Sequence, residues 1–250
     1  MSISVIIITK NAGATIRRCL ESVAWADEVV VVDSGSSDDT LDICRELGTK
    51  VSVTTDWPGF GPQKNRALDA ASGNWLFNID ADEWVTPELA EEIRAAVADG
   101  DAAAAYALPR RSSFCGRYMK HSGWWPDYVL RLFRRDAARF SDDQAHERLI
   151  VDGPIHKLKQ PLMHEAITTM DQMLGKMNMY STASARMLYA RGRKASLLTA
   201  VFHGCWAFFR TYVLRLGFLD GREGFILAVA NAEGSYYRYV KLMLEWKNPH

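Results

Sequence analysis

Glu28-Val-Val-Val-Val-Asp33, followed at once by Ser-Gly-Ser-Ser-Asp38, is the stretch on which the fold turns. Four consecutive valines leave no face for water. Such a run is a strand covered on both sides, as in a parallel sheet held between helices. Polarity returns only at the strand's carboxyl end, where open α/β sheets bind their ligands. Upstream, Ser4-Val-Ile-Ile-Ile-Thr9 is a second continuous apolar run, ended by Lys10-Asn11. Residues 14–23, between the two, carry apolar side chains at helical spacing. Downstream, the hydroxyl and acids of Ser37-Asp38-Asp39-Thr40 predict a helix start, with the helix reaching about Leu47. A short strand is predicted at 50–54, a helix at 62–71, a fourth strand at 75–79, and a helix at 87–97 with Pro87 in its first turn. This alternation predicts an α/β fold: a Rossmann-like, mostly parallel sheet with helices on both faces.

The chain has 250 residues, 48% of them hydrophobic, with 30 basic against 30 acidic side chains. It is too apolar for disorder, and its neutrality excludes a nucleic-acid binder that works by charge alone. Cys19, Cys44, Cys115 and Cys205 are scattered without metal-ligand spacing, which fits a reducing cytosol. Met1-Ser-Ile-Ser4 lacks the basic start of a signal peptide. Charge is nonetheless segregated. Residues 172–219 hold seven basic and no acidic side chains, against 19 basic and 26 acidic in residues 1–171. The basic segment is also greasy, with about 15 uncharged residues up to Phe209, short of the ~20 a membrane-spanning helix needs. Helices expected at about 167–191, 196–214 and 225–245 form a C-terminal extension. They read either as amphipathic helices lying on an anionic membrane surface or as helices packed on a core with a solvated basic edge. The domains expected are thus 1–165 and 166–250.

Three polar clusters converge on one sheet edge: Thr9-Lys-Asn11, residues 33–38, and Asp80-Ala-Asp82-Glu83. Carboxylates at i and i+2 around a turn suit a hard divalent cation with room left for phosphate oxygens; the alternative is a turn ahead of Glu83. Asp33 is placed to accept hydrogen bonds from a base or ribose, and Gly35 lets backbone approach a ligand. The alternative is a turn and helix cap. Trp57-Pro-Gly-Phe-Gly-Pro-Gln-Lys-Asn-Arg66 enters a helix whose Lys64 and Arg66 suit a diphosphate. Further along, Glu147 beside His146 is a candidate general base. Trp124 and Trp125 either stack on a sugar or close a core, and His164 is either a metal or phosphate ligand or a structural side chain.

In order and spacing, Ile6-Ile-Ile-Thr-Lys-Asn11, Val31-Val-Asp-Ser-Gly-Ser-Ser-Asp38 and Asn78-Ile-Asp-Ala-Asp-Glu83 resemble glycosyltransferase family 2, the inverting nucleotide-sugar transferases of GT-A fold. With Gly61-Pro-Gln-Lys-Asn65, His146-Glu147, Lys176-Met-Asn178 and residues 218–224, the whole chain is similar to bacterial glucosyltransferases that extend the heptose of the lipopolysaccharide inner core. The resemblance implies Asp33 on uracil, with Thr9 and Asn11 lining the nucleotide pocket. It implies Asp80 at the ribose, Asp82 (with Asp80) holding Mg²⁺ or Mn²⁺, and Glu147 activating the acceptor. It further implies a UDP-sugar donor, a lipid-linked saccharide acceptor and a peripheral place on the cytoplasmic face of the inner membrane. His146-Glu147 replaces the family's common Glu-Asp, and the QxxRW motif of processive members is absent, so single-sugar transfer is expected. The rival readings are transfer to a polyprenyl phosphate, a sugar nucleotidyltransferase, and a membrane-bound scaffold without activity.

Overall fold

The computed structural model describes residues 1–99, 103–142 and 147–247. The chain divides into two compact units, one of residues 1–110 with 127–164 and one of 111–126 with 165–250.

In the first unit, β1 (Ile3–Thr9), β2 (Glu28–Asp33), β3 (Lys50–Val53) and β4 (Trp75–Asn78) lie parallel in the order β3-β2-β1-β4. Thr9 stands opposite Asp33 and Ile6 opposite Asn78, so the polar ends of β1, β2 and β4 share one edge. Alternate residues serve two cores. Val5, Ile7, Val31 and Phe77 are buried with α1 (Gly13–Ser22) and α4 (Pro87–Ala98); Ile6, Val30, Val32 and Leu76 are buried with α3 (Phe60–Ala70). This two-sided burial is what the unbroken apolar runs require.

Beyond β4 the sheet becomes antiparallel. It continues through β8 (Asp127–Arg134), β6 (Ala105–Phe114) and β12 (Leu162–Ile167) to β5 (Glu83–Trp84). The two-residue strand β7 (Arg117–Tyr118) folds back on the end of β6, and β11 (Ile155–Lys157) lies along the start of β6. A separate ribbon joins β9 (Ala138–Phe140) to β10 (Leu149–Val151).

Residues 110–114, Arg-Arg-Ser-Ser-Phe, form the end of the ten-residue β6. The cause is pairing: Arg110 bonds Asp127 at 2.7 Å across β8, a partner seventeen residues away that local pattern does not announce. The helix expected to start at Ser37–Thr40 does so: α2 (Thr40–Glu46) has Asp39 at its N-cap, making no side-chain cap bond. Asp38 accepts from the Thr40 amide at 3.2 Å and from Thr40 Oγ1 at 2.6 Å, serving the helix start, and from the Gly13 amide at 3.0 Å, so that it also clamps two loops.

In the second unit, α5 (Met170–Ala190) is capped by Thr169 on the Gln172 amide at 3.2 Å, and α6 (Leu197–Phe209) by a Ser196–Thr199 capping box. α6 runs on through a π-helical turn at Arg210–Leu214, and a 3₁₀ turn at Gly217–Asp220 leads into α7 (Gly221–Glu245). The helical stretch Leu197–Leu214 is 18 residues, by length and composition enough to cross a membrane. This exceeds the uncharged run in the sequence because the helix does not stop at Arg210. Its inner face packs on α7: a Cβ on Gly204 would lie 3.3 Å from Tyr236 Cβ. Its outer face leaves Leu198, Val201, Phe202, Trp206 and Phe209 exposed. Residues 218–224 are a structural joint. Fully buried Asp220 accepts from the amides of Lys120 and His121, each at 3.0 Å, and from Ser122 Oγ at 3.1 Å. A Cβ on Gly224 would meet the Gly217 carbonyl at 1.9 Å. Trp124 packs edge-on to Phe114 with ring centroids 5.9 Å apart, beside Leu227 and Ala230. The Arg111 guanidinium lies 5.9 Å from the Trp125 ring. Both tryptophans therefore serve packing in this unit.

Candidate active site

The site is built on the carboxyl edge of the first unit's parallel strands. Asn11 takes φ +50°, a left-handed conformation that Asn tolerates better than most residues. Its amide donates to Ser36 Oγ at 2.7 Å, and its Oδ1 accepts from the Ser37 amide at 2.8 Å. The β1 and β2 loops are thereby tied together. Fully buried Asp33 accepts from the amides of Gly35 and Ser36 at 2.9 and 2.8 Å, and from Ser36 Oγ at 2.5 Å. Its carboxylate thus shapes the loop that a nucleotide would meet, with Gly35 at φ +81° making the turn. Thr9 Oγ1 is buried at the end of β1 with no hydrogen-bond partner among the described residues, on the edge where a ligand is expected.

At the end of β4 a chain of charges begins. Arg131, buried on β8, reaches both Asp80 and Glu83 with its Nη2, the Glu83 contact being 2.7 Å. Glu83 Oε2 also accepts from the Asp80 amide at 3.0 Å. Burial favours the neutral Asp80 carboxyl, but Arg131 and then Lys64 overcome it and hold the group well below the usual carboxylate range. Burial, reinforced by the charge of Asp80, pushes Glu83 the other way despite Arg131. The two acids thus diverge around one guanidinium.

Lys64 continues the chain. Its buried ammonium lies 3.5 Å from Asp80 Oδ1 and donates to Glu147 Oε1 at 2.7 Å. Three features bring it there. Gly61 lets α3 lie against the β9–β10 ribbon, since a Cβ would stand 1.8 Å from the Ser141 carbonyl. Asn65 fastens the helix to Phe140 by two bonds, 2.9 Å to its carbonyl and 3.1 Å from its amide. Gln63 reaches the other way, to Ser34 Oγ at 3.0 Å and Thr54 Oγ1 at 2.8 Å. Gly61-Pro-Gln-Lys-Asn65 thus joins the β2 loop to the ribbon that carries Glu147. Arg66, expected beside Lys64 on a diphosphate, instead bonds Asp56 at 2.6 Å on the surface.

Asp82 lies partly exposed, with Oδ2 3.5 Å from His164 Nε2; His164 stands opposite Glu83 in the β5–β12 pairing. Among the described residues no group of three His, Cys, Asp or Glu side chains converges as a ready metal cage. Partly exposed Asp82 nevertheless offers a carboxylate, with the mostly buried His164 beside it, that fits a cation taking its remaining ligands from water and phosphate. Asp80, occupied by Arg131 and Lys64, contributes charge rather than a free ligand. His146 lies outside the described residues. Trp124 and Trp125 belong to the other unit. No motif marks Arg131 in the sequence; an arginine at an inward position of a buried strand is the available signal.

Residues 4–158 match the model of glycosyl transferase family 2. An uncharacterized glycosyltransferase of Rickettsia felis is 31% identical over 98% of this chain and 92% of its own length. The lipopolysaccharide core biosynthesis glycosyltransferase LpsC of Rhizobium meliloti is 30% identical over 97% of this chain and 92% of that protein. Among solved structures, S. aureus TarS 1-349 aligns over 100% of this chain and 92% of that one, with TM-score 0.52 at 18% identity; a complex of the same protein with UDP gives 0.51. That likeness is one of fold, the GT-A arrangement.

Proposed function

Because the chain belongs to glycosyl transferase family 2, we propose that it moves one sugar, glucose, from UDP to a lipid-linked saccharide, the heptose of a lipopolysaccharide inner core. The relative LpsC, a lipopolysaccharide core biosynthesis glycosyltransferase, supports an acceptor in the lipopolysaccharide core. The observation that carries the reading is the Lys64 ammonium 2.7 Å from Glu147 and 3.5 Å from Asp80, because it joins a proton-accepting carboxylate to a phosphate-neutralising cation at the ligand edge of the sheet. Thr9, Asn11, Asp33 and Gly35 line the nucleotide side. Asp80 lies toward the ribose, oriented by Arg131. Donor phosphates compete with Glu147 for Lys64, and Glu147 so released takes the proton of the acceptor hydroxyl. The acceptor oxygen attacks the anomeric carbon opposite the departing UDP and the configuration inverts, with Lys64 stabilising charge that grows on the diphosphate. Asp82 with His164 would hold Mg²⁺ or Mn²⁺, which when bound supplies further neutralisation of the diphosphate.

Nucleotide release from UDP-, GDP- and ADP-sugars tests this reading. Slow hydrolysis of one UDP-sugar in the presence of Mn²⁺ is expected. Asp82→Ala should abolish Mn²⁺-dependent UDP binding in calorimetry, and intact Mn²⁺-dependent affinity would remove Asp82 from the role.

The outer face of α6, apolar and flanked by Arg193, Lys194, Arg210 and Arg215, supports a peripheral seat on an anionic cytoplasmic leaflet. With α7 covering its inner face, α6 is read as lying in the membrane plane. Each cation near such a surface contributes about 1 kcal/mol, so high salt should release part of the protein from anionic vesicles. Absence from vesicles at every salt concentration would refute the seat.

A further inference from the structure

The loop that leads into α3 presents two aromatic rings with no role in the core. Trp57 and Phe60 are 50% and 44% exposed, and they meet edge to face with centroids 4.9 Å apart and planes at 89°. Each ring braces the other, so the pair offers a fixed apolar surface rather than two loose side chains. Its place matters more than its exposure. Phe60 is the first residue of α3 and stands four positions before Lys64, one turn away on the same side of the helix. The next residue, Gly61, is where α3 meets the ribbon: a Cβ there would lie 3.3 Å from Glu147 Cβ. The pair therefore stands one helical turn from the ammonium that holds Glu147, and next to the residue at which α3 meets the ribbon. Polar groups lie next to it in the chain: Asp56, beside Trp57, pairs with Arg66 at 2.6 Å on the surface, and the buried Lys64–Glu147 pair lies one turn further along α3. An apolar patch rimmed by hydrogen-bonding groups suits a ligand with one apolar and one polar aspect. A pyranose ring has this character: its C–H face is apolar and its hydroxyls project around the edge.

We propose that Trp57 and Phe60 form the acceptor subsite, stacking on the saccharide ring whose hydroxyl Glu147 deprotonates. The inference rests on the transferase reading and adds the surface that holds the acceptor. A membrane or a second copy of the chain would call for a wider apolar face than two rings amid charges.

The test uses the full chain, with UDP, and deacylated lipopolysaccharide inner-core oligosaccharide as the probe, so that no acyl chain contributes. Calorimetry should show binding of the oligosaccharide that Trp57→Ala with Phe60→Ala weakens roughly tenfold, the scale of a lost aromatic contact. Trp57→Phe should retain affinity within about threefold. UDP affinity and slow donor hydrolysis should not change in either variant. Three results would overturn the proposal: no binding to the unaltered protein, binding indifferent to both rings, or a parallel loss of UDP affinity that marks a folding defect. Loss of vesicle binding with oligosaccharide binding intact would also overturn it and assign the rings to the membrane. UDP binding and donor hydrolysis by the unaltered protein report on the transferase reading separately, so the two can fail independently.

Discussion

Glu147→Gln is expected to lower kcat by roughly 10²–10⁴-fold, the usual contribution of a positioned general base. The amide keeps the size of the side chain and loses its ability to take a proton. It also loses the charge that holds Lys64 at 2.7 Å, leaving that cation to Asp80 at 3.5 Å and to an incoming diphosphate. UDP affinity should therefore stay near normal or tighten while turnover collapses. This split separates loss of a base from loss of the fold. Turnover that survives Glu147→Gln would place the proton acceptor elsewhere.

The second large effect concerns stability. Arg131→Met removes the only cation in direct contact with both Asp80 and Glu83 among the described residues. Breaking a buried ion pair by deleting one partner costs about 3–5 kcal/mol, because the remaining charges stay desolvated. A fall of that size in the free energy of urea unfolding is expected. The sign of its pH dependence follows from the carboxyls. With Arg131 present, the Asp80 carboxyl lies below its usual range, so its contribution is complete above the unfolded value near pH 4 and is lost only in stronger acid. Without Arg131, Lys64 still faces Asp80 and Arg110 still faces Glu83, each at 3.5 Å, but burial and mutual repulsion push both carboxyls upward. Folding then takes up a proton, and the deficit is full at neutral pH and shrinks toward about pH 4. A deficit independent of pH between 7 and 4 would mean that the arginine acts through packing alone. Arg131→Lys retains the charge without the fork, and it should recover part of the stability while lowering UDP-sugar turnover, because Asp80 is no longer oriented.

What could be read in the chain before folding was everything carried by local pattern. The valines of β2 and the isoleucines of β1 have nowhere to go except between two helical layers, so a mostly parallel sheet follows from composition at neighbouring positions. The end of each run marks the ligand edge, which is why Thr9, Asn11, Asp33, Asp80 and Asp82 stood out. Tertiary structure alone decided how those groups are used. Asp38 reads as a helix cap and is also a clamp on Gly13; Arg66 reads as a phosphate ligand and bonds Asp56. Lys64 and Glu147 are 83 residues apart, and Arg131 and Asp80 are 51 apart. Charge pairing depends on distance in space, which local sequence does not encode, and only the closing of β8 and the β9–β10 ribbon against the parallel strands brings these charges together.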